Sequence, residues 1–304
     1  MNENEYLAED EYDRLDTFLT GELGITRTRV QGLIKNKHVT KVGDDAGNLK
    51  PSMKVQAGDK FIVNMPVSDN VAYLRAEPVD FDVVYEDKYI IVVNKPAGVV
   101  VHPSPGNWRN TLVNGLVYRY PDLKELMHWL RPGIVHRLDA GTSGLMVVAR
   151  TEEATTELIR MFQNREVDKH YIALAHGRPK RLEGTISGPL DRDPGNRLKR
   201  AVVLGGKASL TGYKVLWTRN NFSLVEFKLF TGRTHQIRVH FSALGCPLVG
   251  DVPYGAPSEE IELGRVMLHS WRLGFKHPAT GEPMSFRQKI PEAFIEYIRD
   301  TVKL

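Results

Sequence analysis

Gly133-Ile134-Val135-His136-Arg137-Leu138-Asp139-Ala140-Gly141-Thr142-Ser143-Gly144, with the apolar run Leu145 to Val148 behind it, is the most informative stretch of the chain. Its glycines and hydroxyl residues make a loop that runs directly into a strand. Such a loop can hold one carboxylate at a strand end, with backbone N–H groups or the Thr142 and Ser143 side chains fixing its rotamer. By residue type alone Asp139 is by default a turn former, since Asp before Ala-Gly is a common turn sequence. Both readings stand on these residues.

Outward from this loop, Val83-Val84-Tyr85 and Ile90 to Val93 read as strands, joined to the turn Asn94-Lys95-Pro96-Ala97-Gly98. Thr151 caps a helix with Glu152 and Glu153 in its first turn and Ala154, Leu158 and Met161 on one face. Tyr171, Ala173 and Ala175 then alternate with Ile172 and Leu174. Strands around Val202-Val203, Tyr213 to Trp217 and Leu224 to Leu229 lead to a helix over 234–244 that stops at Gly245. Clustered strands with few helices predict an α+β domain over residues 78–304, built on a largely antiparallel sheet.

Toward the N-terminus, Pro66, Ser68, Asp69, Asn70 and Pro78 interrupt the apolar periodicity and predict a linker over 66–80. A small domain over 12–75 precedes it. Leu15, Phe18 and Leu19 make one helical face, and Val30, Leu33 and Ile34 make a second, capped by Thr26. Arg27, Arg29, Gln31, Lys35 and Lys37 lie on the polar side of the second helix, and Val39 to Val42 and Phe61 to Val63 read as strands. Residues 1–11 are expected as a flexible acidic N-terminus.

Charge points the same way. The 304 residues carry a formal +4, yet residues 1–13 hold six acids (Glu3, Glu5, Glu9, Asp10, Glu11, Asp13) and no Lys or Arg, which leaves 41 basic against 31 acidic residues, +10, in 14–304. A folded body that basic has the field of a polyanion binder. The single cysteine, Cys246, excludes an intramolecular disulfide and a paired-thiolate metal site. With no signal-peptide pattern and no apolar run of membrane-spanning length, the expected location is the cytoplasm.

Several stretches occur in the order of a known family. His136-Arg137-Leu138-Asp139 with Thr142-Ser143-Gly144 resembles the signature loop of RluA-type pseudouridine synthases; Asn94 to Gly98 with His102-Pro103, Lys169-His170-Tyr171, Thr231-Gly232-Arg233-Thr234-His235-Gln236-Ile237-Arg238, and Gly250-Asp251 with Tyr254-Gly255 are similar to its other motifs. Ala140-Gly141 departs from the Lys-Asp that relatives often carry. Arg14-Leu15-Asp16, Thr26-Arg27, Gln31 to Ile34 and Gly58-Asp59 before Phe61 resemble an S4-like RNA-binding domain, except that Val42 to Asn48 is longer and more acidic than the family's hairpin.

The resemblance implies a pseudouridine synthase catalytic domain following a small S4-like α/β domain. It implies isomerisation of uridine in structured RNA, with large-subunit ribosomal RNA as the substrate of the members that pair these domains, and a monomer without metal or cofactor. Carried over residue by residue, Asp139 is the catalytic carboxylate, Arg233 its charge partner and Tyr171 the aromatic face for the base. Arg137 fills the gap left by the flipped nucleotide, Leu138 and Ile237 pack around the pocket, and Arg27, Arg29 and Lys35 with Arg197, Lys199 and Arg200 contact RNA. A non-catalytic RNA-binding or ribosome-assembly factor is the rival from another class. A carboxylate-dependent nucleoside hydrolase is a third, but no second acid is marked beside Asp139.

Overall fold

The computed structural model describes residues 3–23, 27–43, 48–64, 74–104, 106–126, 131–196 and 199–303. The chain divides into two compact units, residues 1–73 and 74–304.

In the first unit, β1 (Glu3–Leu7), α1 (Leu15–Leu23), α2 (Arg27–Lys35), β2 (Val39–Lys41) and β3 (Lys60–Asn64) follow in order, and the strands form an antiparallel sheet β1-β3-β2. The two apolar helical faces close on the sheet: Leu15, Phe18, Leu19, Val30, Leu33 and Ile34 are buried with Phe61 and Val63. Asp16 is fully buried and accepts hydrogen bonds from Arg14 and Gln31, with Arg27 Nε 3.0 Å away. The Arg14 hydrogen bond outweighs burial, and with those of Arg27 and Gln31 holds the carboxyl well below its usual range. The acidic N-terminus is not a free tail. Glu3–Leu7 pair with β3, with Glu5 and Leu7 exposed, Tyr6 turned toward the core and Glu5 bridged to Lys60 at 2.9 Å, so alternation keeps the described charge in solvent while the backbone is satisfied. The expected Thr26 cap, the acidic residues 44–47 and the linker stretch 65–73 lie outside the described residues.

The second unit runs β4 (Asp82–Glu86), β5 (Ile90–Lys95), α3 (Leu112–Arg119), β6 (Ser143–Ala149), α4 (Glu152–Gln163), β7 (Asp168–His176), β8 (Glu183–Ser187), β9 (Leu190–Arg192), β10 (Arg200–Val202), β11 (Leu210–Arg219), β12 (Phe222–Leu229), α5 (Gln236–Ala243), β13 (Leu268–Lys276), β14 (Pro283–Arg287) and α6 (Glu292–Tyr297). Its main sheet has the order β4-β5-β6-β13-β7-β12-β11-β8, with β14 on β13; β9 and β10 form a separate ribbon. Every pair is antiparallel except β6 with β13, so the expected α+β class with a largely antiparallel mixed sheet is what forms. Both faces of β5 and β6 are covered, which is why those strands read as unbroken apolar runs. Ile91, Val93, Met146 and Val148 meet α3 on one face; Ile90, Val92, Leu145 and Val147 meet Ala154, Leu158 and Met161 of α4 on the other. Thr151 caps α4 as expected, its hydroxyl accepting from the Ala154 N–H.

Residues 74–80, expected within the linker, belong to this unit. Leu74 is buried in the core, and Glu77 accepts from Arg109 Nε at 2.7 Å and the Asn110 N–H at 2.8 Å. The parallel crossing of β6 and β13 sits directly behind the Asp139 loop. There Gly144 has φ +116°, and a Cβ on it would lie 2.3 Å from the Ser270 carbonyl oxygen, so only glycine fits.

Candidate active site

Asp139 stands in the loop before β6, and main-chain hydrogen bonds anchor the loop. The Asp139 carbonyl accepts from Thr142 N–H, the Ala140 carbonyl accepts from Gly98 N–H at 2.8 Å and Lys95 Nζ at 3.2 Å, and the Gly141 carbonyl accepts from Val266 N–H. Lys95 is fully buried, and its other donors reach the carbonyls of Pro96 and Val99. Burial lowers this lysine to about 7, against the nearby charge of Asp139 that favours the ammonium; three carbonyl acceptors around one Nζ match the three donors of the charged form. The turn at Asn94 to Gly98 is therefore the seat of the Asp139 loop, and Ala140-Gly141 serves it through main-chain atoms that Lys-Asp would also supply.

The Asp139 side chain, 19% exposed, lies in the wall of a cavity of about 510 Å³, within the ~300–1,000 Å³ typical of small-molecule sites. Its charge partner is not Arg233. Arg238 of α5 donates Nη1 to Asp139 Oδ2 at 3.1 Å, while its Nε and Nη2 form a two-point contact with the fully buried Asp251 at 2.7 and 2.8 Å. Burial opposes the Arg238 charge, but the Asp251 hydrogen bonds and charge, then Asp139, hold the guanidinium above its ordinary value. One rigid fork thus spends its paired edge on Asp251 and aims its remaining Nη1 at Asp139. Arg233 lies just before α5, exposed, with Nε on the Ala208 carbonyl at 3.2 Å. It lines the cavity without touching the carboxylate.

His235 adds a second polar neighbour. Held at φ +58° ahead of α5, it places Nε2 3.8 Å from Asp139 Oδ2 and Nδ1 2.8 Å from the Tyr254 hydroxyl, which in turn accepts the Arg200 N–H at 2.7 Å. The Tyr254 ring lies under the Arg238 guanidinium, 4.9 Å from ring centre to Cζ. Burial lowers the His235 pKa despite the nearby charge of Asp139. Arg200 on β10 is thereby tied to the site; Lys199 is half-buried beside it, and Arg197 lies outside the described residues.

Tyr171 on β7 is 7% exposed and lines the same cavity. Burial, reinforced by the Asp139 charge, pushes its phenol above the ordinary range, which keeps the hydroxyl protonated and leaves the ring as an aromatic face with a neutral O–H. Leu138 and Ile237, 4% and 3% exposed, supply apolar wall together with Leu229 and Leu268. Arg137 sits exposed at the rim. His136 is turned inward: its Nε2 accepts the Val147 N–H, its ring stacks on Phe162 at 4.5 Å, and burial with the neighbouring Lys169 lowers it to about 3. In the first unit, Arg27 is engaged with Asp16, Lys35 is exposed, and the Arg29 side chain lies outside the described residues.

The structure therefore gathers Asp139, Tyr171, Leu138, Ile237, Arg137 and Arg233 around one cavity, and adds Arg238, Asp251, His235 and Tyr254. These last four stood inside the motif segments read from the sequence. Their spacing in the chain does not mark them, but the structure shows why Arg238 must be paired: residues 236–241 of its helix are all buried. Among the described residues no group of three or more His, Cys, Asp or Glu is placed to hold a metal ion.

Comparison with known proteins identifies the family of the chain. Residues 89–243 match the family described as RNA pseudouridylate synthase. YlyB of Bacillus subtilis (strain 168), described as an uncharacterized RNA pseudouridine synthase, is 42% identical over 100% of this chain and 99% of its own length. A ribosomal large subunit pseudouridine synthase D of Neisseria meningitidis serogroup B (strain ATCC BAA-335 / MC58) is 45% identical over 91% of this chain and 76% of its own. Among solved structures, human RNA Pseudouridylate Synthase Domain Containing 1 superposes with a TM-score of 0.55 at 30% identity, covering 73% of this chain and 96% of that one. The chain belongs to the RNA pseudouridylate synthase family, and its activity is that family's isomerisation of uridine to pseudouridine in RNA.

Proposed function

We propose that this synthase acts on large-subunit ribosomal RNA as a cytoplasmic monomer, with Asp139 as its catalytic carboxylate and the first unit as an S4-like grip on structured RNA. The observation that carries the catalytic assignment is the placement of Asp139: a partly exposed carboxylate in the cavity wall, fixed by an arginine that is itself fixed by Asp251. The reaction breaks the N1 glycosidic bond, turns the base and joins C5 to the ribose, with the C5 proton lost and N1 ending protonated, so atoms balance without an added reagent. Such a sequence needs a charged carboxylate in fixed geometry and walls that hold a detached uracil. Leu138, Ile237 and the Tyr171 ring supply the walls. Arg137 at the rim is suited to occupy the space of a nucleotide drawn out of its stack.

The ribosomal substrate rests on relatives whose own description is ribosomal large subunit pseudouridine synthase D, 45% and 39% identical over 91% and 90% of this chain. The basic body of residues 14–304 favours any polyanionic RNA. Asp139→Asn removes charge with little change in volume, and is expected to abolish pseudouridine formation under single-turnover conditions while RNA affinity stays near wild type. Activity within tenfold of wild type would remove Asp139 from this role.

A further inference from the structure

Lys169 is a cavity-lining residue that the chemistry above leaves unused. It precedes Tyr171 by two positions on β7, so both side chains leave the same face of the strand, about 7 Å apart. The residue is 7% exposed, and among the described residues its Nζ meets no hydrogen-bond acceptor and no carboxylate; its near neighbour is the Phe162 ring, 5.6 Å from Nζ to the centre. The acids beside it in the chain are occupied elsewhere, Glu166 by Arg160 at 2.8 Å and Asp168 by Arg272 and Lys228 at 2.6 and 3.0 Å. Arg165, in the left-handed region at φ +62°, and Arg233 line the same cavity, also without an acidic partner. Burial, then the charge of Arg165, disfavours the Lys169 ammonium in the empty cavity. A buried cation beside the Arg165 guanidinium, in a cavity that Arg233 also lines, is relieved by an anion, whereas a neutral base carbonyl offers one hydrogen bond and no charge.

We infer that Lys169, with Arg165 and Arg233, forms a phosphodiester-binding wall that grips the RNA backbone phosphate next to the target uridine. The inference rests on the RNA-modifying reading above. It gives Arg233 a role consistent with its exposed position, and it fits the strand spacing: with the base against Tyr171, a side chain one step along the same face is a sugar's reach away, where the backbone phosphate falls.

The test uses the full-length protein and three synthetic RNAs spanning the uridine located by pseudouridine mapping: one all-phosphate, and two with a single uncharged methylphosphonate on the 5′ or the 3′ side of that uridine. Wild type should lose about tenfold or more in affinity for one of the two methylphosphonate RNAs. Lys169→Met, which keeps the apolar stem, should bind the all-phosphate RNA more weakly, lose most of its sensitivity to that methylphosphonate, and show a salt slope lower by about 0.7–0.9. Lys169→Arg should restore sensitivity. Arg165→Ala, at an exposed position, should show part of the same loss and serves if Lys169→Met does not fold.

A Lys169→Met protein that keeps full methylphosphonate sensitivity overturns the proposal. So does one that is slow in the chemical step with an unchanged salt slope, because the lysine would then be contacting the base. If wild type forms no pseudouridine on the all-phosphate RNA, the functional reading fails and the wall with it. If pseudouridine forms but neither linkage matters, the wall alone fails.

Discussion

Arg233 and Arg238 belong to one short motif, yet the structure separates them by what each can reach. Arg238 sits in the buried stretch 236–241 of its helix and holds its charge between Asp251 and Asp139; Arg233, ahead of the helix, faces solvent and a main-chain carbonyl. Arg238→Ala is therefore expected to slow the single-turnover step at saturating RNA by at least about a hundredfold, through a misplaced carboxylate. Arg238→Lys should recover little, since an ammonium cannot serve both acids with a planar fork. Arg233→Ala should weaken RNA binding and leave the saturated rate near normal. The reverse order of effects would put the carboxylate's partner back at Arg233. At this scale the local patterns left Asp139 as a turn former and Tyr171 as a core aromatic, and only the resemblance of their segments to the family's motifs singled them out; the structure lines one cavity with both. The Arg238 pairing was not legible, because Asp251 meets it only through the fold.

Among the elements, β6 shows how buried polar groups set the chain's response to pH. Two neutral histidines brace it: His136 accepts from Val147 N–H, and His269 Nδ1 lies 2.8 Å from the Ser143 hydroxyl. Burial, aided by Lys169 for the first and Arg265 for the second, lowers them to about 3 and about 4. A depressed histidine means that the unfolded chain, with pKa ~6.5, takes up protons before the folded one. Their contribution to stability is thus complete above pH ~6.5 and falls as pH drops toward 4, by up to about 2 kcal/mol per histidine at pH 5. Calorimetric Tm should decline steadily from pH 7 to pH 5, before most carboxylates protonate, and a flat Tm over that range would contradict the buried, neutral assignment. The strands with continuous apolar runs, β5 and β6, were readable from the sequence. β13 was not, although it lies between β6 and β7, because His269, Ser270 and Arg272 break the apolar pattern and are tolerated only through cross-strand partners such as the Leu145 carbonyl and Asp168. β1 was hidden for a related reason: an acid such as Glu5 on an outward position looks like part of a tail unless the pairing with β3 is known.

For the whole molecule, the sequence displayed two units, a basic body and one motif-rich catalytic region, because each is written in local composition. What it withheld is long-range: the parallel crossing of β6 and β13 behind the catalytic loop, and the path from Asp139 through Arg238 to Asp251. The central claim is that this arrangement makes pseudouridine in large-subunit ribosomal RNA through Asp139. Pseudouridine mapping of ribosomal RNA from cells lacking the protein, complemented with wild type or with Asp139→Asn at equal abundance, tests it most directly. One or more large-subunit positions should be uridine without the protein, pseudouridine with wild type and uridine again with Asp139→Asn; full modification with Asp139→Asn, or an unchanged large-subunit map in the absence of the protein, would contradict the claim.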